Sequence, residues 1–179
     1  NMKIKPIITK GDDVIGNGVG PALEAKDILE IFEGHGPEDL KEKGIYMSDL
    51  IFKMIGVEVK AKDILESGRA YEKLKEIIKA QGGNPNIKST DIKLGKFTYD
   101  YLAPKSGKIK EINLQVISRL ARYAGAPQDK GSGLYMHKKL GERVKIGEKL
   151  LTIYAETKEK LKFTVNESAK EDIFKIGWF

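Results

Sequence analysis

The stretch "GDDVIGNGVGPALEAKDILEIF", residues 11–32, decides how the first part of the chain folds. Glycine stands at positions 16, 18 and 20, and Pro21 follows, a residue suited to the first position of a helix. The next apolar residues recur at helical spacing, and Gly34 stands where a helix would end: Ala22, Ala25, Leu29 and Phe32. The stretch therefore predicts a glycine-rich turn that leads into an amphipathic helix.

The glycine pattern leaves two interpretations of the turn open. Its spacing is G-x-G-x-G rather than the G-x-G-x-x-G of dinucleotide folds. Backbone N–H groups could still face an anion, because a helix N-terminus follows. Alternatively, the glycines only let a strand and a helix pack closely. Asp12 and Asp13 precede the turn and would repel an anion, which favours the second interpretation.

Two carboxylates on the predicted helix offer a third use of the turn. Glu24 and Asp27 are three residues apart, so one helical turn brings both side chains near the glycines. Backbone carbonyls and a carboxylate together would form an oxygen-only site for a hard cation. Ordinary surface acids on a helix are the alternative.

Outward from this stretch, the first part of the chain is mostly helical. Residues 4–9 predict a short edge strand, and residues 35–44 a loop or frayed helix. Tyr46 to Ile55 form a second helix with Gly56 as its stop. Two further helical stretches are separated near Ser67-Gly68, and Gly82-Gly83 end the second of them.

The pattern changes near Lys96. Alternating residues predict strands on both sides of a turn at Pro104 to Gly107, and two short strands lie around Ile146-Gly147. Between them, a helix over residues 113–124 has Val116, Leu120 and Tyr123 on one face, and "GLYMHKK" predicts another strand. We therefore expect an α/β chain of two domains, residues 1–96 and residues 97–179.

Composition narrows the class of protein. The 179 residues contain no cysteine, which excludes disulfides and thiolate metal sites. The net charge of +6 arises from acidic and basic residues that alternate, as in a solvated surface, so we expect no nucleic-acid partner. No apolar run is long enough to span a membrane, and we expect no membrane partner.

The histidines and serines show no catalytic pattern. His35 and His137 are far apart in the chain and have no carboxylate at metal-ligand spacing. The serines have no general base near them in sequence, so no nucleophilic pair is predicted: Ser67, Ser89, Ser106, Ser118 and Ser132.

Two quoted motifs carry a family resemblance. "GNGVGPALEAKDIL", residues 16–29, and "LESGRAYEKLKEIIKAQGGNP", residues 65–85, resemble the thymidine and pyrimidine nucleoside phosphorylase family, and most of all its archaeal branch acting on AMP. Residues 103–156 resemble the C-terminal domain of that family. The resemblance implies that residues 1–96 are the helical second half of an α/β phosphate-binding domain. It also implies a β-rich C-terminal domain of barrel-sandwich or hammerhead type.

The implied activity is phosphorolysis. Such an enzyme cleaves an N-glycosidic bond with inorganic phosphate, and AMP would give a free base and ribose 1,5-bisphosphate; a thymidine or pyrimidine nucleoside is the alternative substrate. In the family, the catalytic and substrate-binding groups lie upstream of the matched stretch, so none is assigned here. The chain is expected to be a C-terminal fragment that is inactive alone. Its expected partners are the upstream part of the enzyme, phosphate, a nucleotide and further copies of itself, in the cytoplasm.

The resemblance also implies one ligand site. Family members bind a monovalent cation through carbonyls of the glycine turn and a carboxylate on the next helix. The matching positions are Ile15, Gly18 and Asp27, with potassium as the candidate ion and no other cofactor. Asp27 stands where the family often has the longer Glu.

Two other classes of protein remain as alternatives. The β-rich part also resembles biotinyl and lipoyl carriers, in which Lys158 would be the modified lysine at a hairpin tip. The third class is an assembly module, in which the apolar tail Phe174 to Phe179 docks on its own domain or contacts another subunit.

Overall fold

The computed structural model describes residues 4–178, which contain six α-helices and seven β-strands. The helices are α1 (Pro21–Phe32), α2 (Glu38–Ile55), α3 (Ala61–Glu66), α4 (Arg69–Ala80), α5 (Leu114–Ala124) and α6 (Lys158–Ser168), with a 3₁₀ helix at Ser89–Asp91. The strands are β1 (Gly18–Val19), β2 (Phe97–Leu102), β3 (Gly107–Ile112), β4 (Gly133–Met136), β5 (Arg143–Val144), β6 (Lys149–Ala155) and β7 (Phe174–Gly177). The chain is thus a mixed α/β protein.

The predicted helix boundaries in the first part are largely confirmed. Pro21 is the first residue of α1, and the helix ends at Phe32, two residues before Gly34. Gly56 adopts the left-handed conformation and ends α2, as its lack of a Cβ permits. The break between α3 and α4 falls at Ser67 and Gly68.

Two predictions in this part are wrong. The second helix does not start at Tyr46, because α2 already begins at Glu38, inside the segment 35–44 expected to be a loop or frayed helix; Glu38 and Asp39 lie in its first turn, where acidic side chains complement the helix dipole. Residues 4–9 have no regular structure rather than forming an edge strand. Pro6 has no N–H to donate to a neighbouring strand, and β1 occupies the sheet edge instead.

The strands form two antiparallel sheets. The first has the order β1-β4-β6-β2 and the second β5-β3-β7. Strands that follow each other in sequence separate: β2 pairs with β6, whereas β3 pairs with β5 and β7. The turn between β2 and β3 therefore carries the chain from one sheet to the other.

The core lies where α5 packs against both sheets. Asn113 caps α5, because its side chain accepts a hydrogen bond from the N–H of Val116 at 3.2 Å. The buried cluster joins the helix to the strands: Val116, Ile117, Leu120, Ile109, Leu134, Leu151 and Ile153. Val116 and Leu120 are buried as the helical pattern predicted. Tyr123 lies at the rim, with its ring edge-on to Phe163 of α6 at 5.2 Å between ring centroids.

The helices of the first part are much less buried. Within α2 and α4 no residue is fully buried. Between α1, α2, α3 and α4 lies an apolar groove of about 670 Å³. Ile51, Ile55 and Ile77 are among the large apolar side chains exposed on these helices.

The two predicted domains share one sheet, since β1 of the first part pairs with β4 of the second. The proposed boundary between residues 96 and 97 stays a prediction. Among residues 4–178, no helix has the length and apolar character that crossing a membrane requires.

Candidate functional site

Asp27 fastens the glycine turn from the side of α1. Its Oδ2 accepts hydrogen bonds from the backbone N–H of Asn17 at 2.6 Å and of Gly18 at 2.7 Å. Glu24 Oε1 accepts from the N–H of Gly20 at 3.0 Å. Helix geometry thus brings both carboxylates to the turn, as their spacing predicted.

The Asp27 carboxyl group is buried and incompletely satisfied. Asp27 as a whole is only 1% exposed. Burial raises the pKa of Asp27, while the N–H groups of Gly18 and Asn17 act in the opposite direction. Oδ1 has no hydrogen-bond partner within residues 4–178. A buried acceptor without a partner costs about 1–3 kcal/mol, so a positively charged ligand at this oxygen would be stabilising.

Lys139 reaches the same turn from the opposite side. Its Nζ donates to the carbonyl oxygen of Val14 at 2.6 Å and to that of Gly16. It also lies 3.1 Å from Oδ2 of Asp39 on α2. That Asp39 oxygen accepts from the N–H of Gly16 at 3.2 Å. The turn is therefore held by an acid on α1, an acid on α2 and a lysine from the loop after β4.

Of the predicted ligands Ile15, Gly18 and Asp27, the structure brings Gly18 and Asp27 into direct contact. Gly18 meets Asp27 through its N–H, not through the carbonyl group that a cation would need. Ile15 is 38% exposed. The unpartnered Oδ1 of Asp27 is the feature that fits a cation, and the site itself stays a prediction.

The N–H groups of the turn are not available to bind an external anion. The amides of Gly16, Asn17 and Gly18 donate to carboxylates of the chain itself, those of Asp39 and Asp27. A phosphate would have to displace these internal anions. The geometry therefore favours the interpretation of a turn that packs closely, as the leading aspartates suggested.

A polar network that the sequence analysis missed crosses the first sheet. His137 Nε2 lies 2.7 Å from Thr152 Oγ1, and this hydroxyl donates to Asp100 Oδ1 at 2.7 Å. Since the hydroxyl proton is used toward Asp100, Nε2 must donate to Thr152. Lys149 pairs with the other Asp100 oxygen at 2.5 Å. His137 follows β4, and the other residues of the network lie on β6 and β2. Their proximity depends on how these strands pair, which the sequence pattern alone does not give.

The pKa values of His137 and Asp100 are both lowered within this network. Burial, followed by the charge of Lys149, lowers the pKa of His137. Hydrogen bonds from Lys149 and Thr152 lower the pKa of Asp100. The lower pKa favours the neutral form of the His137 imidazole. It is linked to the turn through Tyr135, whose ring lies edge-on to His137 and whose hydroxyl is 3.3 Å from Asn17 Nδ2.

Ser89, Glu33 and His35 come together without forming a catalytic triad. Ser89 Oγ donates to Glu33 Oε2 at 2.5 Å, and the His35 ring is 3.9 Å from that same oxygen. The carboxylate lies between the serine and the histidine, so no base can take the serine proton and pass it on. Ser89 is also only 1% exposed. These contacts fasten the 3₁₀ helix to the end of α1. Within residues 4–178, no group of three His, Asp or Glu side chains could hold a metal ion.

The structure corrects the carrier alternative. Lys158 is the first residue of α6 and does not lie at a hairpin tip, since β6 ends at Ala155 and runs into this helix. Thr157 caps the helix by accepting from the N–H of Lys160 at 3.2 Å. The C-terminal tail docks on its own domain, because β7 pairs with β3. Trp178, which follows β7, is exposed. Phe179 lies outside the described residues.

Comparison with known proteins gives consistent matches. Residues 108–173 match the family model of the pyrimidine nucleoside phosphorylase C-terminal domain. The AMP phosphorylase of Thermococcus sibiricus is 46% identical over 180 residues, which are 97% of this chain and 36% of that protein. AMP phosphorylase 2 of Archaeoglobus fulgidus is 41% identical over 181 residues, 99% of this chain and 36% of that protein. The AMP phosphorylase of Natronomonas pharaonis is 38% identical over 182 residues, 98% of this chain and 36% of that protein.

The fold and these matches define the class of domain: residues 108–173 are similar to the C-terminal domain of pyrimidine nucleoside phosphorylases. This confirms the resemblance seen in its motifs. The chain is similar over nearly its whole length to archaeal AMP phosphorylases. The chain spans about a third of the length of these curated relatives.

Proposed function

We propose that this chain is the C-terminal part of a phosphorylase that cleaves AMP with inorganic phosphate. The observation that carries the proposal is identity of 38–46% to AMP phosphorylases over nearly every residue of the chain. The similarity thus includes the glycine turn and α1 to α4, which lie outside the matched family domain.

In the proposed reaction, a phosphate oxygen attacks C1′ of AMP and the bond from C1′ to the base nitrogen breaks. A proton donor protonates the departing adenine, and ribose 1,5-bisphosphate is the second product. Domain closure would align phosphate and nucleotide before the attack. We assign no catalytic or substrate-binding residue to this chain and propose that it is inactive alone.

The proposed partner is the remaining part of the same enzyme. The apolar groove of about 670 Å³ between α1 and α4 supports this proposal, as do the incompletely buried helices α2 and α4. An exposed apolar surface of this kind is typical of a face that packs against another element. In this proposal, α1 to α4 are the helical second half of an α/β domain, and the two sheets with α5 form a barrel-sandwich domain. Further copies of the chain and a cytoplasmic location are part of the same proposal.

A second substrate class has support of its own. The matched domain is the one named for pyrimidine nucleoside phosphorylases, so thymidine or a pyrimidine nucleoside is the alternative substrate to AMP. Assays with both kinds of substrate distinguish the two proposals.

We further propose a monovalent cation, potassium, at Ile15, Gly18 and Asp27. The buried Oδ1 of Asp27 without a hydrogen-bond partner supports this site. A cation there would supply positive charge beside α1 and make the turn more rigid.

A chimera tests the proposed function. In the Thermococcus sibiricus relative, the matched third is replaced by this chain, and release of adenine from AMP and phosphate is measured, with CMP, UMP and thymidine in parallel. We expect phosphorolysis of AMP by the chimera and none by this chain alone. A soluble, folded chimera that releases no base from AMP would contradict the proposal, and a preference for thymidine would establish the alternative.

A further inference from the structure

The ammonium group of Lys139 is enclosed by oxygen atoms of the glycine turn. The carbonyl oxygens of Val14 and Gly16 accept two of its protons, and Asp39 Oδ2, at 3.1 Å, is placed for the third. An ammonium group has three N–H donors and accepts nothing, so these three oxygens use its whole hydrogen-bonding capacity. Its side chain is 22% exposed, compared with 66% for Lys73 on α4.

The three oxygens that surround the ammonium group are of the kinds that also bind metal cations. Two backbone carbonyls and one carboxylate are the oxygen ligands that proteins offer to hard cations. They come from the turn and from α2, whereas Lys139 comes from the loop after β4, 125 positions beyond Val14. The charge is thus delivered by a distant part of the chain.

The surroundings of the turn are acidic and need a positive charge. Asp13 bridges to the Lys139 loop, since its Oδ2 accepts from the N–H of Leu140 at 2.9 Å. Asp39 faces the ammonium directly, and the charge of Lys139 partly offsets the rise in the pKa of Asp27 that burial causes. Without Lys139, the carbonyls of Val14 and Gly16 would lose their donor among acids that repel one another.

We propose that Lys139 is the resident cation of the glycine turn, and that it positions the turn without a metal ion at the cluster formed by Val14, Gly16 and Asp39. This cluster is distinct from the carbonyl groups of Ile15 and Gly18 considered above. Lys139 is therefore a positioning residue: it fixes the entry to α1 against the loop that follows β4.

Chemical rescue tests this proposal. Lys139→Ala removes the ammonium and leaves space, whereas Lys139→Met removes the charge and fills the space. Thermal unfolding is followed by circular dichroism at a constant ionic strength of about 0.15 M, in potassium, ammonium or tetramethylammonium chloride. We expect both variants to lose on the order of 5–10 °C in Tm in tetramethylammonium chloride.

The selectivity of the recovery decides the outcome. Beyond the response of the wild type to the same salt, we expect potassium or ammonium ions to restore part of the lost Tm in Lys139→Ala and none in Lys139→Met, because only the first leaves room for an ion. Unchanged Tm in both variants would overturn the proposal, as would a Tm loss in Lys139→Ala that is the same in all three salts, or a recovery in Lys139→Met equal to that in Lys139→Ala. The potassium dependence of the wild type reports separately on the Asp27 site, so the two proposals succeed or fail independently.

Discussion

A methyl group added at Gly133 would strike the backbone of the glycine turn. Gly133 opens β4 with a φ of 150°, and a Cβ there would lie 2.1 Å from the carbonyl oxygen of Val19 and 2.9 Å from Leu23 Cδ1. On the other side of the same junction, a Cβ at Gly20 would lie 2.4 Å from the carbonyl oxygen of Ser132. The two backbones meet without space for any side chain at either position.

The expected cost of Gly133→Ala follows from these distances. A non-glycine residue in this backbone conformation costs about 1–3 kcal/mol. Overpacking adds about 1–3 kcal/mol, since the nearest atom is backbone and cannot swing aside. We therefore expect the free energy of unfolding to fall by about 2–6 kcal/mol.

Gly147→Ala is the matched control. Gly147 also has a positive φ, 79°, but a Cβ there would have no heavy atom within 4 Å. Only the backbone term applies, so we expect a loss of about 1–2 kcal/mol. Urea unfolding followed by far-UV circular dichroism measures both variants. If Gly133→Ala lay within about 0.5 kcal/mol of Gly147→Ala, the packing of the turn against β4 described above would be wrong.

Two pH-dependent predictions have opposite signs. Burial lowers the pKa of His137 below its ordinary 6.5, so the unfolded chain binds more protons; wild type should lose stability relative to His137→Gln as the pH falls below about 6.5. Burial raises the pKa of Asp27 above its ordinary 3.8, so the folded chain binds more protons; wild type should lose stability relative to Asp27→Asn as the pH rises above about 3.8. Urea midpoints measured from about pH 4 to pH 8 in potassium-free buffer check both, and a pH-independent difference between wild type and either variant would contradict the corresponding burial argument.

Local spacing predicted the elements better than their partners. The helical period located Val116 and Leu120 in the core, and glycines marked the end of α2 and the break before α4. The start of α2 was missed, since Glu38 and Asp39 stabilise the first turn although Gly44 follows inside the helix. Assignment of neighbouring strands to different sheets depends on long-range packing, which no local pattern contains.

In the candidate site too, local proximity could be predicted from the sequence and long-range contacts could not. The position of the Asp27 carboxylate beside the turn follows from the geometry of one helix, and the sequence predicted it; the hydrogen bonds it accepts from the N–H groups of Asn17 and Gly18 were not predicted. The contact of Lys139 with Val14 and Gly16 joins segments more than a hundred positions apart and could not be read from spacing. His137 was judged by its sequence neighbours, whereas its partner Thr152 lies across a strand pair.

The pairing of β1 with β4 has a consequence for how the chain folds and how it can be divided. Asn17 and Tyr135 meet across 118 positions, so this sheet closes only after a long loop has lost its conformational freedom. A chain cut at residue 97 would keep β4, β6 and β2 but expose the backbone of β4 as a free edge. Such an edge offers unpaired N–H and C=O groups to any neighbouring strand. Because the two residues of β1 pair with this edge, we expect a chain cut at residue 97 to self-associate more readily than the intact chain.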